Sequence, residues 1–93
     1  MSKESEFYKK LKYRLDETTS FPTNYMYKFI IPTNKENFTK IENIFNNMGA
    51  VINSKASKTD KFTSITIMVD MDSSDKIIEK YRDVAQVEGV ISL

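Results

Sequence analysis

A change of hydrophobic period, repeated in a fixed order, constrains this chain more than anything else in it. Tyr25-Met-Tyr-Lys-Phe-Ile-Ile31 alternates, with Tyr25, Tyr27, Phe29 and Ile31 on one side and Met26, Lys28 and Ile30 on the other. That period of two belongs to a strand, and Pro32 ends it. Phe38, Ile41, Ile44, Phe45 and Met48 then recur at spacings of three and four, the period of an amphipathic helix. Thr33-Asn-Lys-Glu36 ahead of it reads as a capping box with Thr33 as the cap, and Gly49 suits the left-handed position after the last turn. A second strand over 50–57 starts apolar at Val51 and Ile52 and turns polar. Lys58-Thr-Asp-Lys61 is the turn into a third strand over 62–70. There Thr63, Ile65, Ile67 and Val69 share one face, and Ser64, Thr66 and Met68 the other. Asp72-Ser-Ser-Asp75 supplies cap chemistry. Ile77, Ile78, Tyr81, Val84 and Ala85 define a second core helix, Gly89 resets the chain, and Val90-Ile-Ser-Leu93 is a short last strand.

The order is therefore β-α-β-β-α-β. Two right-handed crossovers joined by a hairpin put both helices on one face of a four-stranded antiparallel sheet. The predicted fold is an α+β, ferredoxin-like sandwich with strands one and three in the centre. The pattern agrees: those two strands are the most apolar, while the second is polar and Lys-rich, as suits a protected edge. The helix-facing side is expected to carry Tyr27, Phe29, Ile31, Ile65, Ile67 and Val69. The opposite face carries Met26, Lys28, Ile30, Ser64, Thr66 and Met68, with Met26, Ile30 and Met68 as an apolar cluster that the fold does not itself require.

Ahead of this domain, residues 4–16 place Phe7, Leu11 and Leu15 four apart among charged residues, an amphipathic helix with Tyr8 beside its stripe. A helix this short is marginal alone and must dock. This helix, through Phe7, Leu11 and Leu15, and a second copy of the chain are the two candidates for covering the cluster of Met26, Ile30 and Met68 on the open sheet face. Thr18 to Asn24 is the connection, with Pro22 favouring an extended Phe21. The organisation is thus a helix and linker over 1–20 and a core domain over 21–93.

Composition excludes more than it assigns. The 93 residues contain no Cys and no His, which removes disulfides, thiol nucleophiles, thiolate metal ligands and the commonest general base. Gly49 and Gly89 are the only glycines, so no glycine-rich phosphate loop exists. With no base to activate a Ser or Thr, an enzyme is not expected, nor a cofactor. Net charge is +1, which gives no general attraction to nucleic acid or to an anionic membrane. The polar N-terminus and the lack of a long apolar run point to a soluble cytoplasmic protein.

Three clusters have a functional reading. Asp70, Asp72 and Asp75 could suit a hard cation, but the calcium-loop spacing fails and helix capping accounts for them. Tyr25, Tyr27 and Phe29 could stack RNA bases, but the third strand lacks the interleaved aromatic and basic residues of that surface, so they are assigned to the core. Lys55, Lys58 and Lys61 surround the turn between strands two and three. They form a candidate anion or partner tip, although lysines there also protect an edge.

Phe21-Pro22-Thr23, Tyr27-Lys28-Phe29, Ser57-Lys58 and Ser64-Ile65-Thr66-Ile67, in this order, resemble the YbeD-like family of small bacterial proteins of unknown function. The resemblance covers about Phe21 to Leu93. It implies a ferredoxin-like fold (an alpha/beta plait) similar to the ACT regulatory domains, which bind amino acids and pair through their sheets. It supplies no catalytic residue. One departure bears on ligands: the loop after the first strand, Ile31-Pro32-Thr33-Asn34, has no Gly, so its backbone approaches a ligand less freely.

The expected function is that of a non-enzymatic regulatory or protein-interaction module working through the open sheet face, with a protein partner or a second copy. An ACT-type small-ligand sensor with its site near Pro32 to Asn34 is the alternative. Weak nucleic-acid binding through the lysine tip ranks below it, and no membrane partner is expected.

Overall fold

Side-chain alternation along a strand has only two outcomes per residue, so the core face can be checked position by position. The computed structural model describes residues 3–93; Met1 and Ser2, part of the polar N-terminal stretch, lie outside the described residues. Its elements run α1 (Lys3–Thr18), β1 (Thr23–Pro32), α2 (Lys35–Ile44), β2 (Val51–Ala56), β3 (Phe62–Met71), α3 (Ser74–Val84) and β4 (Ile91–Ser92). The strands form one four-stranded sheet in the order β2-β3-β1-β4, with every neighbouring pair antiparallel. This is the expected arrangement, with β1 and β3 central.

Tyr27, Phe29, Ile31, Ile65, Ile67 and Val69 are all buried, and so are Ile41 and Phe45 of the α2 region and Ile77 and Val84 of α3. The alternation therefore closes one core between the sheet and the helices. Tyr27 anchors it: its ring lies 5.1 Å from Phe45 and 4.8 Å from Tyr81, and its hydroxyl donates to Ile77 O at 2.9 Å. The Tyr25 and Tyr81 hydroxyls meet at 2.8 Å. Burial, first of all, pushes the Tyr27 and Tyr81 phenols well above their ordinary range, so both remain neutral hydrogen-bonding groups.

Some local expectations are corrected. Thr33 is not the cap of α2. Asn34 is, accepting from Glu36 N at 2.7 Å and Asn37 N at 3.4 Å. Thr33 is taken by the start of β3 and the residue before it: its N–H donates to Lys61 O and its hydroxyl meets that of Thr63 at 2.9 Å. The α2 helix also stops sooner than the apolar period suggests. Phe45 N shares Ile41 O and Glu42 O, so the last turn tightens, and Lys80 Nζ of α3 takes Ile44 O at 2.9 Å. Gly49 is left-handed as expected, but Asn47 is as well, and both lie in the turn beyond the helix. In α3, Ala85 is exposed; the Val87 N–H bonds Val84 O in a tight turn, and Val87 fills the core position.

The α1 helix lies on the helical layer, not on the open sheet face. Tyr8 and Leu15 are buried and Leu11 half-buried, while Phe7, expected in the apolar stripe, is 62% exposed. Ser74, Ile78 and Arg82 share one face of α3, one turn apart. Lys12 and Asp16 meet Ser74, and the Arg82 guanidinium stands 5.0 Å over the Tyr8 ring. The stripe is therefore rotated toward Tyr8, whose ring lies under Arg82 while Lys12 and Asp16 engage the start of α3.

Candidate functional site: the open face of the sheet

An antiparallel sheet can leave one face to solvent, and this one does. Both core helices and α1 stand on the same side, so no helix among the described residues covers the other. Register places the exposed face in rows across the strands. Met26 lies opposite Met68, and Val51 of β2 lies on the far side of Met68. The next row holds Lys28, Thr66 and Asn53, and the one after it Ile30, Ser64 and Lys55, with Ile91 of β4 opposite Ile30. Phe62 and Pro32 close the end. Leu93 stands two residues past Ile91, and its N–H donates to Lys28 O at 3.0 Å.

All six residues expected on this face are brought together on it: Met26, Lys28, Ile30, Ser64, Thr66 and Met68. Met26 is 50% exposed, Lys28 and Ser64 are exposed, and Ile30, Thr66 and Met68 are half-buried. Sequence reasoning missed Val51, Phe62, Ile91 and Leu93, each of them a large exposed apolar side chain. The alternation of the third strand already put Phe62 in step with Ser64 and Met68. Val51 and Ile91 needed the pairing register, which their short strands do not carry.

The lysine tip is brought together only in part. Lys55 projects from β2 onto the open face beside Ser64, whereas Lys58 and Lys61 belong to the turn, where Asp60 takes a left-handed conformation. Ser57 organises that turn, its hydroxyl accepting from Phe62 N at 3.2 Å and its carbonyl from Asp60 N at 2.9 Å. The three aspartates are not drawn into one site. Asp70 accepts from Asn24 Nδ2 at 3.0 Å, Asp75 pairs with Lys12 at 3.0 Å, and Ser73 rather than Asp72 caps α3. Among the described residues no acidic group is clustered so as to hold a metal ion. No helix among them is long and apolar enough to cross a membrane.

Away from the sheet, a groove of about 450 Å³ between α2 and α3 is lined by Lys40, Asn43, Ile44, Asp83, Gln86 and Val87. The loop from Pro32 to Asn34 is engaged internally. Its polar groups are spent on Lys61, Thr63 and the α2 cap, and Pro32 packs against the bare Cα of Gly89.

Fold and surface together define a class: a ferredoxin-like α+β domain with one helix-covered and one bare sheet face. The chain belongs to the family described as protein of unknown function (DUF493), whose model matches residues 16–93; this is the YbeD-like family. Among solved structures it is similar to an H. pylori protein determined in solution, at TM-score 0.65 and 20% identity, covering 82% of this chain and 86% of that one. An uncharacterised protein from Thermotoga maritima aligns at TM-score 0.63 and 11% identity, over 75% of this chain and 90% of that one. The ACT domain of a GTP pyrophosphokinase from Chlorobium tepidum aligns at TM-score 0.54 and 14% identity, over 76% and 100%. Identities this low establish the fold alone. No curated protein matches the chain.

Proposed function

We propose that this protein is a non-enzymatic interaction module, regulatory in role, that binds a partner through the open face of its sheet. The observation behind this reading is the bare face itself: Met26, Met68 and Val51 in one row, Ile30 and Ile91 in another, with Phe62 and Leu93 at its margins. Scattered apolar side chains are ordinary on a surface, but here three adjoin in one row and two more adjoin across the polar row of Lys28 and Thr66, a grouping that favours a contact site. Methionines suit such a surface because they repack easily around a guest. Burying each fully would contribute about 1.5–3 kcal/mol.

The fold likeness to an ACT domain raises the reading of a small-ligand sensor near Pro32 to Asn34. The internal engagement of that loop speaks for the sheet face instead. The test is the double variant Met26→Asp, Met68→Asp. Both side chains point away from the core, so the circular dichroism spectrum should stay that of the parent while partner binding is lost. A variant that retains the parent's binding would refute the reading. A rise in melting temperature with saturating amino acid or nucleotide would favour the sensor, since native-state binding stabilises by mass action.

A further inference from the structure

Lys28 occupies an unusual place on the open face. It stands in central strand β1 between Met26 and Ile30, opposite Thr66, with Leu93 at its other side. It is a cation with apolar neighbours on three sides, Met26, Ile30 and Leu93, and a threonine on the fourth. Among the described residues no carboxylate forms an ion pair with Lys28, unlike Lys12, Lys40 and Lys76, which each have an acidic partner. Lys55, beside Ser64, is a second cation on the same face. Among the acidic side chains of the described strands, Asp70 is the one whose parity places it there; it lies past Met68 and is already bonded to Asn24.

Charge decides among the occupants. Whatever covers Met26 and Ile30 also strips water from the Lys28 ammonium, and a buried charge left unpaired is strongly unfavourable. A second copy packed face to face is a poor answer, because a twofold interface uses the same patch twice and brings two lysines to it while its own carboxylate stands at the edge. Nucleic acid supplies anions but no side chains to fill the rows of Met26, Met68, Ile30 and Ile91. A peptide segment supplies both.

We infer that the open face receives a segment of another protein in which an Asp or Glu is flanked by apolar side chains, the carboxylate seated on Lys28. The inference rests on the reading of the face as an interaction surface and adds the chemistry of the partner.

The probe is a displayed library of short random peptides, panned against the full chain. Enriched peptides are then synthesised and their affinity measured by fluorescence anisotropy. The expected result is enrichment of Asp or Glu between apolar residues. Lys28→Gln should weaken those peptides by about tenfold or more, as removal of one member of a desolvated charge pair does. Lys28→Glu should shift the selected consensus to Lys or Arg. If Lys28→Gln leaves affinity unchanged while Met26→Asp, Met68→Asp abolishes it, the face reading stands and the acidic partner falls. If neither variant loses the selected peptides, or none is enriched, both readings fall. If the chain forms a dimer that Met26→Asp dissociates, the occupant is a second copy and the inference is wrong.

Discussion

Gly89 is held in place by Pro32. Its φ is +77°, and an added Cβ would lie 2.7 Å from Pro32 Cγ, a ring atom that cannot swing aside. A left-handed conformation costs an L-residue about 1–2 kcal/mol, and the clash adds overpacking of about 1–3 kcal/mol. Gly89→Ala should therefore destabilise the protein by at least about 2 kcal/mol in chemical denaturation. Gly49→Ala is a control, because a Cβ there meets nothing within 4 Å and only the backbone strain applies. Equal losses for the two would mean that the Pro32 contact is unimportant. Gly89 was legible as a break in the chain but its neighbour was not, since Pro32 lies far from it in sequence. The same holds for the α2 cap. Both Thr33 and Asn34 carry cap chemistry, and what decides between them is Thr63 on β3, a partner the local pattern does not contain.

At the scale of the element, α1 shows how a correct helix can be read with the wrong face. Phe7, Leu11 and Leu15 repeat every four residues, yet Tyr8 takes the inner position and Phe7 is left outside. The stripe is broad enough for either rotation, and the polar pairs choose. Ser74 Oγ donates to Asp16 Oδ1 at 2.5 Å, and Lys12 Nζ reaches Asp75 at 3.0 Å, Ser74 at 3.3 Å and Asp16 at 3.4 Å. The Ser74 hydroxyl, ahead of Lys12, holds the Asp16 carboxyl below the usual carboxylate range. Asp75, ahead of Asp16, raises Lys12 above the usual lysine range. A lowered acid contributes stability above its ordinary pKa and loses it as pH falls through the folded value. A raised base contributes below its ordinary pKa and loses it as pH rises through the folded value. Docking of α1 should thus be firmest between about pH 5 and pH 9, inside the ordinary limits of about 3.9 and 10.4. Melting curves from pH 7 to pH 3 should fall less steeply for Asp16→Asn than for the parent. Parallel curves would show that Asp16 does not hold the helix.

Across the whole molecule, one covered and one uncovered apolar surface lie on opposite sides of the same sheet. The order of the strands was readable because β1 and β3 are apolar enough to be central and β2 is polar enough to be an edge. The faces of β1 and β3 followed from alternation alone. The rest of the candidate site was not readable, because Val51, Ile91 and Leu93 join it only through pairing with central strands. Removal of residues 1–19 separates the two surfaces experimentally. It strips Tyr8 and Leu15, both buried, and bares the α3 face that carries Ile78, without touching Met26 or Met68. Burial of two such side chains is worth about 3–6 kcal/mol at most, a large share of the roughly 5–14 kcal/mol that stabilises a domain of this size. The truncated chain should melt at a markedly lower temperature and self-associate in sedimentation. Ile78→Lys should relieve that association, whereas Met26→Asp, Met68→Asp should not. The full chain should sediment as a single copy of 10.8 kDa. Association of the truncated chain relieved by the sheet-face variant instead would mean that α1 shields the open face in solution, contrary to its place on α3.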